Sequence, residues 1–241
     1  MAPILTISEL HKSFGNVAAV HNLSFEVERR EILGIIGPNG AGKTTAFNLI
    51  TGEIRPDKGE VIFEGKDVTY DPTYKKCRMG IARTYQIPKP FLNMTVLENL
   101  LVGAIYGANM GYNQSREKCE EILEKTGLLP KRYALAGALP LLDRKRLELA
   151  KALATDPALL LVDEVAGGLA ETEVEEVLGI IHSVRKGGVT VLWVEHIIMA
   201  MQKGPDRLLV MNFGRNLFCG KPEEAFRSDE VQKIYLGVEE D

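Results

Sequence analysis

The chain has 241 residues, 45% of them hydrophobic and 26% charged, with a formal net charge of −4. This length accommodates one large α/β domain or a core with a smaller appended part, and the composition excludes a disordered or fibrous chain. Lysine and arginine are spread along the sequence without a basic tract, which argues against nucleic acid as the main partner.

In chain order, residues 5–10 alternate apolar and polar side chains as a half-buried strand does, residues 11–16 read as a turn, and 17–27 as further strand. Residues 32–36 read as a strand buried on both faces and 46–50 as a helix, with a glycine-rich loop between them. A turn at 55–59 precedes short strands at 60–65 and 81–86, the second stopped by Pro88 and Pro90. From Thr95 to about Ala154 the pattern is helical. Candidate helices cover 96–105, a segment whose Cys119, Ile122, Leu123 and Thr126 share one face, and 144–154 with Leu147, Ala150 and Ala154 on one side. The strand 158–162 follows, then a helix carrying Val174, Val177, Leu178 and Ile181, strand 190–194, helix 197–203, strand 207–212, and a helical tail over 221–241 that ends in three acids. Alternating strands and helices imply a mostly parallel sheet covered on both faces. Three well-separated cysteines, Cys77, Cys119 and Cys219, in no C-x-x-C pair, read as reduced, mostly buried thiols of a cytosolic protein. No secretory leader is expected, and no apolar run reaches the roughly 20 residues of a bilayer span, so work at a membrane would need recruitment by a partner.

The loop Gly37-Pro38-Asn39-Gly40-Ala41-Gly42-Lys43-Thr44-Thr45 fits G-x-x-x-x-G-K-[ST] in the strand–loop–helix setting that motif requires. Its glycines let backbone N–H groups approach phosphate oxygens, and the helix N-terminus adds partial positive charge. Lys43 is expected against the β- and γ-phosphates and the Thr44 hydroxyl on Mg²⁺. Asp163 and Glu164 close the apolar strand at 158–162. There Asp163 would hold Mg²⁺ through its water shell, and Glu164 would accept a proton from an attacking water.

With Gln86 and His196 added, the chain resembles the ATP-binding subunit of an ABC transporter along essentially its whole length. The resemblance implies an α/β P-loop NTPase core with an N-terminal antiparallel β subdomain and an inserted helical subdomain. It divides one 1–241 domain into a core (about 1–86 and 155–220), helices (about 87–154) and a C-terminal helical tail (about 221–241). It also implies ATP and Mg²⁺ as ligands. Gln86 becomes the glutamine that touches Mg²⁺ and water and senses the membrane domain, and His196 the switch histidine near the γ-phosphate. Phe14 is either the aromatic that stacks on adenine or a core phenylalanine.

The runs 82–86, 95–103 and 194–196, with Asn212-Phe213-Gly214 and Tyr235-Leu236-Gly237, are similar to the branched-chain amino acid importer branch. That branch implies a subunit on the cytoplasmic face of the membrane that powers uptake of amino acids or related amides. Its permeases would dock near 86–103, where Pro88, Pro90, Phe91 and Leu92 offer apolar surface, and a separate binding protein would select the solute. Two departures stand out. The signature usually close to L-S-G-G-Q reads Leu139-Pro140-Leu141-Leu142-Asp143, and Val165 and Ala170 replace the proline and the acid or asparagine usual after Glu164. Pro140 offers neither hydroxyl nor N–H. The expectation is a heterodimer in which a different ATPase subunit closes this chain's site. Two alternatives are a regulatory subunit with little hydrolysis and a soluble ABC-type ATPase outside transport. The lack of N-K-x-D and of D-x-x-G after the loop argues against a GTPase switch.

Overall fold

The computed structural model describes residues 2–236. It opens on an antiparallel hairpin, β1 (Leu5–Phe14) and β2 (Val17–Val27), joined through Gly15 and Asn16. The turn expected over 11–16 is thus shorter, because Gly15 takes the positive φ of 57° that a tight hairpin needs and lets residues 11–14 stay in the sheet. Then come β3 (Ile32–Ile36), α1 (Lys43–Thr51), β4 (Lys58–Phe63), β5 (Lys66–Asp67), α2 (Thr73–Arg78) and β6 (Ile81–Arg83). Neither β5 nor α2 has a sequence expectation.

The helical block comprises α3 (Val96–Val102), α4 (Tyr112–Lys125) and α5 (Leu141–Ala154). The single helix expected over 96–105 stops at Val102 and passes into a π-turn, Gly103–Gly107. The cause is close approach to the end of α5. A Cβ on Gly107 would lie 2.8 Å from Thr155 Cγ2, and one on Gly103 would lie 3.0 Å from the Lys151 carbonyl oxygen. The core resumes with β7 (Leu159–Asp163), α6 (Glu171–Lys186), β8 (Thr190–Val194), α7 (Ile198–Lys203), β9 (Arg207–Asn212) and β10 (Arg215–Gly220), then α8 (Pro222–Arg227) and α9 (Asp229–Leu236). The helical tail is therefore present as two helices, while Gly237 and the three terminal acids lie outside the described residues.

Among the described residues the strands form two sheets, β2-β1-β4-β5 and β10-β9-β3-β8-β7-β6. The first is antiparallel, and the second is parallel except where β10 folds back on β9. The central strands have no polar face. Ile32, Leu160, Val162, Val191, Trp193, Leu208 and Val210 join the cluster that includes the helical block. Their neighbours Leu33, Ile35, Leu159, Leu161, Leu192, Val194 and Leu209 join the cluster under α1 and the antiparallel sheet. Period-2 alternation with both faces apolar yields three layers, with the six-stranded sheet in the middle. The expected helix faces are buried too: Cys119, Ile122, Leu123 and Thr126, and Val174, Val177, Leu178 and Ile181. Of the cysteines only Cys119 is buried; Cys77 is half-buried and Cys219 exposed on β10, a strand without a sequence expectation.

Candidate active site

The loop between β3 and α1 lies at the C-terminal edge of the central sheet, where α/β folds place their ligands. Its conformation depends on two missing side chains. A Cβ on Gly37 would lie 2.3 Å from the Met211 carbonyl oxygen, and one on Gly42 would lie 2.2 Å from that of Ala19. Gly42 also has φ 97°, and its carbonyl starts α1 by accepting the Ala46 N–H at 2.8 Å. The Asn212-Phe213-Gly214 turn braces the loop, since the Gly214 N–H bonds to the Ala41 carbonyl at 3.0 Å. Lys43 is buried, and its ammonium donates to the carbonyls of Gly37 at 2.6 Å and Pro38 at 3.0 Å. Burial holds Lys43 below the usual lysine range, while Glu164 and Asp163 work against that shift. Thr44 is exposed and Thr45 half-buried in the first turn of α1. Pro38 is half-buried, Asn39 and Gly40 are exposed, and Ala41 is buried.

Asp163 ends β7 and is buried. Its backbone N–H donates to Thr84 Oγ1 at 3.0 Å, and its Oδ2 accepts from Arg83 Nη2 at 2.8 Å. Arg83 in turn donates to Asn48 on α1 and to Glu53, and its guanidinium packs against the Tyr85 ring. Glu164 takes a left-handed backbone, φ 45°, fastened by its N–H to the Val194 carbonyl at 2.9 Å. Such a residue costs about 1–2 kcal/mol and re-aims a side chain at a site. Its Oε2 accepts from Gln86 Nε2 at 2.6 Å and lies 3.6 Å from His196 Nδ1. Gln86, Glu164 and His196 thus meet. Gln86 is exposed and lies beyond β6: the strand expected over 81–86 ends at Arg83, because Tyr85 and Gln86 turn their side chains to Glu53 and Glu164.

Phe14 is 53% exposed at the end of β1, with Lys12 over its ring, which excludes the core alternative. The departing signature leads into α5, which begins at Leu141, three residues ahead of the expected start. Pro140 caps that helix without a side-chain hydrogen bond, Leu141 is half-exposed, and Leu142 packs on the core. Arg144 braces the segment by donating to the carbonyls of Leu139 and Gly137, and buried Asp143 pairs with Lys131 and Arg146.

Sequence reasoning left out Arg83, Lys145, Glu148 and Glu195 as site side chains, all of them largely buried. The available signals were an arginine inside an apolar strand and, at Glu195, an acid directly after an apolar strand, the same pattern as Asp163. Among the described residues no cluster of three or more His, Cys, Asp or Glu could hold a metal. One buried carboxylate with a single oxygen committed to Arg83, plus a threonine hydroxyl, suits a hard cation that arrives on phosphate oxygens and keeps its waters.

The profile of the ABC transporter family matches residues 20–167. The branched-chain amino acid transport ATP-binding protein LivG of Salmonella typhimurium is 35% identical, covering 98% of each chain. The lipopolysaccharide export ATP-binding protein LptB of Haemophilus influenzae is 33% identical over 97% of each. A crystal structure of the ADP conformation of an ABC transporter ATP-binding cassette superposes with a TM-score of 0.90 at 32% identity, covering 99% of this chain and all of that one.

Proposed function

The chain belongs to the ABC transporter family, and from that we propose that it is the ATP-binding and hydrolysing subunit of a membrane importer for branched-chain amino acids or related amides. The observation that carries the reading is the meeting of Gln86, Glu164 and His196 beside the phosphate loop. Lys43 now donates to the Gly37 and Pro38 carbonyls, and would exchange these for β- and γ-phosphate oxygens when nucleotide enters. Asp163 and Thr44 would hold Mg²⁺, which would supply positive charge against the phosphate oxygens. Gln86 donates to Glu164 Oε2, His196 Nδ1 lies 3.6 Å from the same oxygen, and Glu164 would take the proton of a water aimed at the γ-phosphate. Exposed Phe14 offers a face for adenine.

A different ATPase subunit is the expected partner. In this family each nucleotide is closed by the opposite subunit's signature, and here Pro140 has no donor while the exposed Leu141 side chain would crowd a facing phosphate. Losing one transition-state donor of that kind costs about 10²–10³ in rate. A homodimer would carry the fault in both sites, and a heterodimer only in its partner's. Permease subunits would dock at Phe91 and Leu92, 50% and 54% exposed beside a cavity of 250 Å³ lined by Glu53, Arg83, Tyr85 and Phe91. No helix among the described residues is long and apolar enough to cross a membrane; the subunit would be held at the cytoplasmic face by its permeases.

The second reading, a regulatory subunit, is favoured by the same altered signature. Equilibrium ATP binding and turnover decide between them, measured on wild type and Glu164→Gln within the assembled transporter. Binding retained with turnover lowered at least about 10²-fold in the variant supports the ATPase. No turnover in the wild type even with partners present supports regulation.

A further inference from the structure

We propose that Glu195 is a positioning residue whose buried carboxylate fastens the loop after Glu164 to His196 and sets the histidine tautomer, with the proton on Nδ1 and Nε2 offered to the nucleotide. The inference rests on the reading of His196 as the group beside the γ-phosphate. Glu195 directly follows β8 and is fully buried. One carboxylate oxygen, Oε2, accepts the Ala166 N–H at 2.9 Å; the other, Oε1, accepts the His196 N–H at 2.9 Å. The same Oε1 lies 3.3 Å from His196 Nδ1, whose other near neighbour is Glu164 Oε2 at 3.6 Å.

Two carboxylates therefore face one ring nitrogen. A lone pair there would be repelled by both, and a proton there is attracted by both. The charged groups around the ring are Glu195 after β8, Glu164 after β7, and Lys145 of α5, whose buried ammonium donates to the Glu164 carbonyl at 3.3 Å. Burial pushes the Glu195 carboxyl up, and the backbone N–H groups of His196 and Ala166, with that of Ile197 and the His196 ring, pull it back. Burial likewise holds Lys145 below the usual lysine range, with Glu195 the first charge working against it. A metal-free analogue of the carboxylate–histidine pairs that orient ligands at metal sites results. It joins the switch histidine, the loop after Glu164 and the helix after the altered signature.

A glutamine cannot replace this carboxylate. Its amide has one accepting oxygen, so its NH₂ would face either the Ala166 or the His196 N–H, donor against donor. The test begins with ¹⁵N NMR of the histidine rings in the nucleotide-free full chain at alkaline pH, with His196 assigned by its loss in His196→Ala. The expected result is an Nδ1–H ring in the wild type that shifts toward Nε2–H in Glu195→Gln. An Nε2–H ring in the wild type would overturn the proposal, whatever the activity and whether or not the variant folds. The second arm is turnover in the assembled transporter. Glu195→Gln should lower kcat about 10-fold with KM for ATP changed less than about 2-fold, and cost less than about 2-fold more in a His196→Ala background. Equal losses in both backgrounds would reduce Glu195 to a structural side chain and sink the idea. If the transporter shows no turnover at all, the ATPase reading fails while the ring measurement still decides the role of Glu195.

Discussion

Arg83 and Asp163 form an ion pair with both side chains almost out of solvent, at 2.8 Å. The pair commits one Asp163 oxygen, Oδ2, to Arg83. Removing one member of such a pair strands the other charge, which costs about 3–5 kcal/mol. Arg83→Met should therefore lower unfolding stability by that order in urea titrations. A loss under about 1 kcal/mol would mean that water already screens Asp163. Lys76 is a second buried charge. Its ammonium caps the end of α1 through the Ile50 carbonyl at 2.9 Å, and burial lowers its pKa to about 8 from an ordinary 10.5. The folded chain then binds this proton less tightly than the unfolded chain does. Between about pH 8 and 10.5 the unfolded state holds more protons, so stability rises with pH across that window. Relative to Lys76→Met, the wild type should gain on the order of 2 kcal/mol from pH 8 to pH 10. A constant difference between the two urea midpoints would show that Lys76 titrates normally.

Among the elements, α5 starts three residues ahead of its expected position. Its first residue, Leu141 of the altered signature, is half-exposed, yet Asp143 of the same signature and Lys145 and Glu148 further along are buried. Each has a partner: Lys131 and Arg146 for Asp143, the Glu164 carbonyl for Lys145, and Lys151 with the Lys89 N–H for Glu148. The helix is thus tied by charge to the loops after β6 and β7, while Leu147 and Ala150 hold it to the core. If the Pro140-Leu141-Leu142 stretch is what obstructs a facing nucleotide, the triple change Pro140→Ser, Leu141→Gly and Leu142→Gly should raise turnover of the chain on its own at least about 10-fold. Unchanged turnover in a phosphate-release assay would place the limit elsewhere. The first turn of α1 is less forgiving, because its geometry depends on Gly42, where any side chain meets the Ala19 carbonyl.

Across the whole molecule, the cavity runs beside β6, the edge strand of the central sheet, while the phosphate loop follows the C-terminal end of β3. Arg83 and Tyr85 line that cavity, and Arg83 also pairs with Asp163, so one side chain touches both the candidate coupling surface and the candidate hydrolytic centre. Phe91 lines the cavity and its neighbour Leu92 is exposed, with the Phe91 N–H held by Asn99 Oδ1 at 2.8 Å. Replacing both by serine should leave ATP affinity within about 2-fold and cut solute uptake per ATP hydrolysed at least about 5-fold, since hydrophobic anchors dominate such contacts. Uptake unchanged in reconstituted vesicles would remove this surface from coupling.

The linear chain determined the features that depend on near neighbours. The alternation of the central strands, the helix faces of 119–126 and 174–181, and the phosphate loop with its glycines are all local patterns, because periodicity and φ preference act over a few residues. So is the pair Asp163-Glu164 at a strand end. Tertiary structure decided the rest. Arg83 finds Asp163, 80 residues away, only because β6 lies parallel to β7 with Arg83 opposite Leu161. The π-turn at 103–107 follows from contact with Thr155, and the β6 strand stops early because Gln86 is drawn to Glu164. Burial of Lys76, Lys145 and Glu195 is likewise a matter of which elements close over them. Long-range charge pairing and close packing carry no local signature, so they appear only when the sheet register has brought distant segments together.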